Sequence, residues 1–317
     1  MKKNNIVKDI DVTTINSVSD LLKSFLSVGG FMAQHLGKAY AILRDILSKN
    51  EVTVFMSFPA DIVATGLRGV IRDMVKLGYV DVIITTCGTW DHDIARTFKE
   101  YYLGSFFEDD KMLADKNIHR LGNILVPRDS YGKIIEEKVQ AILRKLYRNG
   151  IKSLSTYELS WYLGESLDKS SILWWCKSKG VPVIVPAPYD GAVGSQIWIF
   201  QQFHRDFKLD LKADEDLLSD LVFDSKETAA VIVGGGVSKH HLLWWNQFRG
   251  GLDYAIQITS AVELDGSLSG ARLDEAISWG KVKKEARNVS IWGEASVILP
   301  LLVSGLYRDM GVREKSG

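Results

Sequence analysis

Residues 52–86 read VTVFMSFPADIVATGLRGVIRDMVKLGYVDVIITT, and the architecture depends on the pattern they contain. Residues 52–56 are a short apolar run rich in β-branched and aromatic side chains, which predicts a buried strand. Residues 62–77 then repeat apolar side chains at helical spacing, and residues 80–86 return to a β-branched apolar run. A strand, a helix and a second strand in this order predict parallel strands joined by a crossover helix.

The same alternation continues on both sides of this segment. Upstream, helical patterns begin at Ser17 and cover residues 31–48. Downstream, further strands are predicted at residues 122–126, 182–185, 230–233, 254–258 and 289–292. We therefore expect an α/β fold with a Rossmann-like, mostly parallel sheet and helices on both faces. A polar N-terminal arm over residues 1–16, a single large domain over 17–317, and a connecting region with a helix over 206–227 complete the predicted organisation.

The composition is that of an ordinary globular protein. The 317 residues include 39 Lys+Arg and 39 Asp+Glu, so a formal net charge of zero gives no general attraction for nucleic acids. The only cysteines, Cys87 and Cys176, exclude a disulfide scaffold and a cysteine zinc site, and they suit a reducing compartment. The first residues lack the apolar core of a signal peptide, and no run of about 18 apolar residues could span a membrane. We therefore expect a cytoplasmic protein that binds neither nucleic acid nor membranes.

The loop after the second strand, residues 85–93, reads TTCGTWDHD. Its hydroxyls, its glycine and the helix that follows could receive a phosphate or a ribose, because helix N-termini attract anions. Alternatively, Asp91 caps this helix or lies in its first turn, which is the commoner use of aspartate there. Asp91, His92 and Asp93 also resemble a metal cluster, but no second histidine-rich segment complements them, so no metal is predicted.

Two further loops follow predicted strands, where parallel sheets bind their ligands. Residues 231–241 read VIVGGGVSKHH, and the three glycines either let the backbone approach a bulky anion or make a tight turn. One of His240 and His241 could face a ligand there. Residues 186–195 contain Asp190, which could accept a hydrogen bond from a ribose or an amine, or lie in an ordinary Pro/Asp/Gly turn.

The most concentrated candidate segment is residues 263–281, which read ELDGSLSGARLDEAISWGK. The small residues make a loop that can wrap around a ligand. Glu275 and Trp279 are four residues apart on one helical face, and a carboxylate beside an indole suits an organic cation. A lysine set against an apolar wall, as Lys281 would be, can act as an amine nucleophile and form a Schiff base. Equally, Lys281 could be a solvated lysine at a helix C-terminus, and Trp279 could be a core residue.

Residues 270–281, GARLDEAISWGK, closely resemble the active-site segment of deoxyhypusine synthases. The likeness continues in residues 101–106 (YYLGSF), 119–127 (HRLGNILVP), 234–241 and 294–302 (EASVILPLL), and in the Asp190-Gly191 turn. It covers nearly the whole chain, from about residue 30 to residue 306. The short N-terminus and residues 86–89 are similar to the archaeal branch of the family.

The resemblance implies a transferase that uses NAD to move the 4-aminobutyl group of spermidine to one lysine of the precursor of translation factor 5A. It also implies a homotetramer with active sites between paired subunits. Lys281 matches the lysine that carries the covalent imine, and His240 matches a residue beside the polyamine that could carry a proton. The positions matching NAD contacts are Thr86, Gly88, Asp190, Gly235, Ser260, Ala261, Glu294 and Ala295. The positions matching polyamine contacts are Asp91, Gly266, Ser267, Glu275 and Trp279. Three of these residues replace the family's Thr, Asp and Glu conservatively: Ser260, Glu294 and Asp91.

Other positions depart further from the family pattern. Ser195 and Leu268 stand where many members have acidic residues, and His92 stands where they have Glu, so the polyamine specificity is left open. One alternative is a related enzyme that passes the aminobutyl group to a free diamine, for example forming homospermidine from putrescine. Another is a non-catalytic protein that binds NAD or a polyamine.

Overall fold

The computed structural model describes residues 6–314, which form two compact units. The first unit contains the described residues up to 58, residues 77–82, and those from 218 onward. The second contains residues 59–76 and 83–217. Both units are discontinuous in sequence, and the boundary predicted between an arm and one large domain stays a prediction.

The secondary structure of the described residues follows in chain order. The helices are α1 (Val18–Val28), α2 (Phe31–Leu47), α3 (Leu67–Lys76), α4 (Gly88–Phe98), α5 (Asp110–Asp115), α6 (Gly132–Arg148), α7 (Thr156–Glu165), α8 (Ile172–Lys179), α9 (Ala192–Phe203), α10 (Leu211–Asp224), α11 (Gly236–Gln247), α12 (Leu273–Ser278) and α13 (Ala295–Met310). The strands are β1 (Val52–Ser57), β2 (Val82–Ile84), β3 (Tyr102–Leu103), β4 (Ile118–Leu121), β5 (Ile124–Pro127), β6 (Ser153–Leu154), β7 (Val183–Ile184), β8 (Lys208–Leu209), β9 (Glu227–Val233), β10 (Leu252–Thr259) and β11 (Val282–Trp292). Within residues 6–314, no helix has both the length and the apolar character that a membrane crossing requires.

The first unit is built on four parallel strands in the order β11-β10-β9-β1. Val231 in β9 pairs with Met56 on one side and with Ile256 on the other. Every residue of β9 from Thr228 to Val233 is buried, so both faces of this strand are covered, as a continuous apolar run requires. Helices α2, α11 and α13 pack against these strands.

The second unit has two neighbouring parallel strands, β2 and β7, with Ile83 opposite Val183. It also contains an antiparallel sheet in the order β3-β5-β4 and a short parallel pair, β6 and β8. Helix α7 packs against α8, α6 against α9, and α3 against α8. With four parallel strands in the first unit and a parallel β2–β7 pair in the second, the predicted mostly parallel α/β fold is confirmed.

The strand predicted at residues 122–126 forms, but it does not join the parallel strands. It is β5, which pairs antiparallel with β4 across the two-residue turn of Gly122 and Asn123. Gly122 has φ +58°, and a glycine with positive φ at the first turn position is typical of a tight hairpin. An apolar run predicts a buried strand but carries no information about the direction of its partner, so the sequence pattern could not show this.

The helix predicted over residues 62–77 begins late. The chain first makes a 3₁₀ turn, Ala60–Ala64, and α3 starts only after Gly66. The Thr65 hydroxyl donates to the Ile62 carbonyl at 2.7 Å and accepts from the Leu67 N–H at 3.2 Å. A threonine hydroxyl that bonds to the backbone on both sides competes with the helix, and here it separates the turn from α3.

The predicted N-terminal arm is described only from residue 6. Its described part includes a 3₁₀ turn, Val12–Thr14, and the Lys8 N–H donates to the Ser27 carbonyl at 3.3 Å. Residues 1–5 lie outside the described residues, so the arm as a whole stays a prediction. The connecting region expected at 206–227 contains β8 and α10.

Asp309 on α13 ties three helices of the first unit together. It accepts hydrogen bonds from Ser19 on α1 at 2.5 Å and from Tyr40 on α2 at 2.9 Å. It also pairs with Lys23 at 2.8 Å and with Arg44 at 3.1 Å. Burial opposes the ionised carboxylate, but hydrogen bonds from Lys23, Ser19 and Tyr40 outweigh it and lower the pKa of Asp309 to about 2. The ionised carboxylate therefore stabilises this helix junction.

Candidate active site

The carboxyl ends of β9, β10 and β11 meet at one edge of the first unit's sheet. Thr259 lies opposite Trp292 in the strand register. Just beyond the strands, Gly234 N donates to Ile258 O at 2.8 Å and Gly293 N donates to Thr259 O at 2.9 Å. Five predicted cofactor residues follow these strand ends: Gly235, Ser260, Ala261, Glu294 and Ala295. The structure therefore brings all five to the edge where parallel sheets bind ligands.

The turn between β9 and α11 depends on its glycines. Gly234 and Gly236 have φ +67° and +68°, a region that other residues rarely adopt. A Cβ at Gly235 would lie 2.3 Å from Ser269 Cα, so only glycine fits there. At Gly236, none of the described residues comes within 4 Å of where a Cβ would be. The turn is therefore open at the N-terminus of α11, where backbone N–H groups favour a phosphate.

Glu294 and Ser260 supply exposed polar groups beside this turn. The Glu294 carboxylate accepts from Ser296 N at 2.8 Å and so caps α13. Carboxylates and hydroxyls at the ends of parallel strands are suited to bind the ribose hydroxyls of a dinucleotide. Together with the open glycine turn, these residues offer groups suited to a phosphate and to ribose hydroxyls.

The other three predicted cofactor residues lie in the second unit. Thr86 and Gly88 follow β2, Asp190 follows β7, and these strands are parallel neighbours. Thr86 Oγ1 accepts from Ala60 N at 3.2 Å, and a Cβ at Gly88 would lie 2.8 Å from Ala60 Cβ. Asp190 is exposed. This unit therefore also collects its predicted cofactor residues at the carboxyl ends of adjacent strands.

Asp91 is 1% exposed, and its carboxylate binds the N-terminus of a helix other than its own. Its carboxylate accepts from Tyr131 Oη at 2.7 Å, Ala192 N at 2.9 Å and Val193 N at 2.8 Å. It therefore holds the N-terminus of α9, whereas α4, which starts at Gly88, has no side-chain cap. Burial raises the pKa of Asp91, and these hydrogen bonds act in the opposite direction. Asp91 lies in the first turn of α4, as one interpretation of the sequence expected, but its side chain does not cap that helix. Its role in polyamine binding stays a prediction.

Asp93 is the second buried carboxylate of α4 and acts in the same way on α8. It accepts from Arg68 Nε at 2.7 Å and from the Ser171 hydroxyl at 2.7 Å. It also accepts from Ile172 N at 3.1 Å and Leu173 N at 2.9 Å. Both aspartates of α4 are thus used to hold the first turns of other helices.

Among the described residues, no three His, Cys, Asp or Glu side chains are placed to hold a metal ion. His92, between the two aspartates, has Nδ1 3.0 Å from the Tyr101 hydroxyl. Burial, opposed by the charge of Asp61 and aided by that of Arg96, lowers the pKa of His92 to about 4. The residues that resembled a metal cluster are therefore engaged in internal hydrogen bonds.

Lys281 lies between two indole rings of the first unit. Its Nζ is 5.4 Å from the ring centroid of Trp279 and 5.7 Å from that of Trp244. Its main chain is held on both sides, because Lys281 N donates to Ala276 O and its carbonyl accepts from Leu252 N, each at 3.0 Å. Within residues 6–314, no carboxylate forms an ion pair with Nζ. The half-buried amine is therefore presented from a fixed backbone between two aromatic faces.

His240 lies beside this amine. It is four residues before Trp244 on α11, and the two rings stack with centroids 5.7 Å apart and an angle of 18° between their planes. Burial lowers the pKa of His240, and the positive charge of Lys281 lowers it further. The imidazole is therefore neutral at pH 7 and can accept a proton.

Two neighbouring cavities collect most of the predicted polyamine residues. The cavity at Lys281 has a volume of about 300 Å³, and its lining includes Lys239, His240, Trp244, Glu275, Trp279 and Lys281. A cavity of about 510 Å³ is lined by Gly266 and Ser267, and Glu275 also lines it. An amine, a neutral imidazole, a carboxylate and two indole faces can together bind an alkylammonium group and react with its oxidised carbon.

Of the residues that depart from the family pattern, Leu268 lies at the cavities of the first unit and Ser195 lies in the second unit. Leu268 lines both cavities and adds apolar surface where many family members have a carboxylate. Ser195 lies in the second unit, on α9, and its hydroxyl donates to Gly191 O at 3.0 Å. Of residues 6–314, Glu275 alone contributes a carboxylate to the lining of the cavity at Lys281.

Trp244 and Lys239 are among the residues of this cavity to which the sequence patterns assign no role. Trp244 could have been found, because it lies four residues after His240 and so shares its helical face. Lys239 could not have been found, because the neighbouring residues in the sequence do not distinguish a buried lysine from an exposed one. In the structure Lys239 is only 1% exposed.

Comparison with known proteins adds independent information. The family described as Deoxyhypusine synthase matches residues 20–306. A protein of the archaeon Picrophilus torridus named "Probable deoxyhypusine synthase" is 52% identical over 299 residues, covering 94% of this chain and 96% of the relative. A protein of the same name from Thermoplasma acidophilum shows the same identity and coverage.

A solved structure shares the fold. The crystal structure of an Entamoeba histolytica protein, also assigned as a deoxyhypusine synthase, superposes with a TM-score of 0.71. It covers 98% of this chain and 99% of the other, at 22% sequence identity. At this identity the likeness bears on the fold alone, which it supports over the full length.

Proposed function

Because the chain belongs to the deoxyhypusine synthase family, we propose that it transfers the 4-aminobutyl group of spermidine to one lysine of the precursor of translation factor 5A, with NAD as cofactor. The observation that carries this proposal is the position of Lys281. Its amine lies between two indoles, beside a neutral imidazole and free of any ion pair within the described residues. An amine placed in this way suits covalent capture of an oxidised amine substrate.

The proposed reaction is an exchange of amines on one oxidised carbon. NAD, when bound, would supply the redox chemistry, namely removal of a hydride from the carbon beside the secondary amine of spermidine and its return at the end. The Lys281 amine attacks the oxidised carbon, a bond to Nζ forms, and 1,3-diaminopropane leaves. The lysine of the factor then displaces Lys281 in the same way, so the enzyme amine is regenerated and no net oxidation occurs.

The other cavity residues serve this exchange. Each exchange of amines needs a proton moved between nitrogens, and the neutral His240 beside Lys281 is suited to carry it. Glu275 and the indole of Trp279 are suited to hold the free ammonium of the aminobutyl group. Water would hydrolyse an imine, so the exposed face of Trp279 would need to be covered, as by a second chain, during the reaction. Gly266 and Ser267, which line the neighbouring cavity, complete the proposed polyamine contacts of the first unit. Asp91 in the second unit is proposed as a further polyamine contact, outside these two cavities.

The proposed cofactor contacts comprise both sets of strand-end residues. Gly235, Ser260, Ala261, Glu294 and Ala295 come from the first unit. Thr86, Gly88 and Asp190 come from the second unit, and we expect Asp190 and its neighbours to serve a site shared with another chain. In support, the turn before α11 has backbone open at Gly236, and Glu294 and Asp190 are exposed carboxylates. NAD held by these residues would supply hydride chemistry at the carbon that Lys281 attacks.

We further propose a cytoplasmic homotetramer with active sites between paired subunits. Among the described residues, a single carboxylate, Glu275, lines the cavity at Lys281, whereas a polyamine carries several positive charges. A second chain could contribute further carboxylates. Trp279 at the cavity is 67% exposed, which leaves apolar surface for a neighbour to cover. Light scattering of the purified protein should give a mass four times the 35.5 kDa of one chain.

Following labelled substrate tests the activity. Spermidine labelled in its butyl portion is incubated with the enzyme and NAD, and with either the factor precursor or putrescine as acceptor. We expect label in the protein acceptor and release of 1,3-diaminopropane. Label in a polyamine product alone would identify a homospermidine-forming enzyme, and label in neither acceptor would leave a binding protein without this activity.

A further inference from the structure

Lys239, in the first turns of α11, carries a charge into the interior of the first unit. It is among the largest fully buried side chains of the described residues. A buried ammonium is costly unless its hydrogen bonds are made. Lys239 Nζ donates to Leu268 O at 2.8 Å and to Ala271 O at 2.6 Å, and across residues 6–314 no carboxylate forms an ion pair with it. Two backbone carbonyls are therefore its main partners.

Both carbonyls belong to a single helical turn in the loop that joins β10 to α12, here called the 260–272 loop. Within it, Ser267 O accepts from Gly270 N at 3.2 Å and from Ala271 N at 3.3 Å. A turn that does not continue as a helix leaves carbonyls without partners, and cations are favoured at this end of a helical turn. The ammonium of Lys239 satisfies two carbonyls, three residues apart, at once.

Other contacts fix the same end of the loop. Gln257 Nε2 on β10 donates to Ser269 O at 3.0 Å. The main chain of Ser269 packs so closely on Gly235 that no Cβ fits between them. By contrast, Leu264 earlier in the loop is 95% exposed. Residues 268–271 thus anchor the end of the loop at which Leu268 and Ala271 line the cavity at Lys281.

We propose that Lys239 is a positioning residue of the active site, whose ammonium binds the carbonyls of Leu268 and Ala271 and so holds the 260–272 loop, with Gly266 and Ser267, beside Lys281. The inference rests on the proposed function in one respect, that this loop contacts the polyamine. Lys239 does not itself react: its Nζ is bonded to backbone oxygens and its side chain is buried.

The charge of Lys239 supports this assignment. Burial lowers the pKa of Lys239 to about 8, and the negative charge of Glu275 on α12 partly offsets the effect. The group is still mostly protonated at pH 7, so both hydrogen bonds are charge-assisted and stronger than those of a neutral donor. Arg272 and Lys281 are the other charged side chains of the cavity at Lys281.

Hydrogen exchange of the full chain tests the loop without substrate or cofactor. In Lys239→Met, peptides covering residues 264–272 should exchange at least tenfold faster than in the wild type. The exchange rates of peptides from β9 should be the same as in the wild type. Lys239→Arg keeps a charged donor and should restore part of the protection. Lys212→Met, which removes an exposed lysine on α10, is the matched control and should leave the loop as in the wild type.

Kinetics separate positioning from a purely structural role. The KM for spermidine should rise at least tenfold in Lys239→Met, with a smaller change in kcat. If this variant does not fold, Lys239→Gln, a shorter neutral donor, takes its place in both measurements. Loop exchange equal to the wild type in the folded variant overturns the proposal. A wild-type enzyme inactive on spermidine would instead refute the proposed function, and the exchange data would still decide the role of Lys239.

Discussion

At the scale of single residues, the site places a histidine beside a lysine whose positive charge affects the pKa of the histidine. The positive charge of Lys281 and burial both oppose protonation of His240. The imidazole therefore stays available as a base at pH values where an ordinary histidine begins to protonate. This suits a residue that must move protons between amines.

The pH profile of the reaction tests this role of His240. The acid limb of kcat/KM should lie below pH 6.5, the ordinary pKa of histidine, because the pKa of His240 is lowered. His240→Gln should reduce kcat by a factor on the order of 100 and remove the limb. A variant with wild-type activity and the same acid limb would show that another group controls it.

The residues of the site differ in how far sequence could find them. Lys281, His240 and Glu275 lie in motifs, and the structure brings them to one cavity. Asp91 shows the limit of local patterns: its partners, Ala192 and Val193, lie about 100 residues away in sequence. An aspartate in the first turn predicts a cap of its own helix. Only the fold shows that the Asp91 carboxylate instead accepts hydrogen bonds from the N-terminus of α9.

At the scale of secondary-structure elements, α4 organises the second unit through two buried carboxylates. Asp93 holds the N-terminus of α8 and forms a buried ion pair with Arg68, whose side chain is 8% exposed. Removing one partner of such a pair leaves the other charge buried without compensation.

Denaturation of an Asp93 variant measures this contribution. Asp93→Ala should lower the free energy of unfolding by about 3–5 kcal/mol, because Arg68 and the first N–H groups of α8 lose their partner. Asp129→Ala is the matched control: its carboxylate is 77% exposed and 3.9 Å from Lys133, so the change should stay under about 0.5 kcal/mol. Equal urea midpoints for the two variants would contradict the role given to Asp93.

The junction of α1, α2 and α13 gives a prediction in pH. The pKa of Asp309 is about 2 in the fold, below the usual value of 3.8, so its stabilisation is present above pH 4 and is lost as the pH falls towards 2. At pH 7, Asp309→Asn should cost roughly 2 kcal/mol of unfolding free energy. The difference from the wild type should vanish near pH 2, and an equal difference at both pH values would refute this account.

The elements show where sequence patterns succeed and fail. Strands β1, β9 and β10 are long apolar runs buried on both faces, so their existence and parallel order could be predicted. The antiparallel pairing of β4 and β5 depends on the turn at Gly122, and the start of α3 depends on the Thr65 hydroxyl. Both are single-residue effects that hydrophobic periodicity does not register.

At the scale of the whole molecule, the fold class and the family predicted from the sequence are confirmed. The predicted site residues divide between the two units. The residues proposed for covalent chemistry, Lys281 and His240, lie in the first, and Asp91 and Asp190 lie in the second. Sequence patterns do not reveal this division, because both units are assembled from separate stretches of chain.

The most direct test is to trap the covalent intermediate on Lys281. The enzyme is incubated with NAD and spermidine labelled in its butyl portion, reduced with borohydride, digested and analysed by mass spectrometry. We predict a 4-aminobutyl adduct on Lys281 that needs both NAD and spermidine and is absent from Lys281→Ala, which should also be inactive. Undiminished turnover by Lys281→Ala, or an NAD-dependent adduct on a different lysine, would contradict the account.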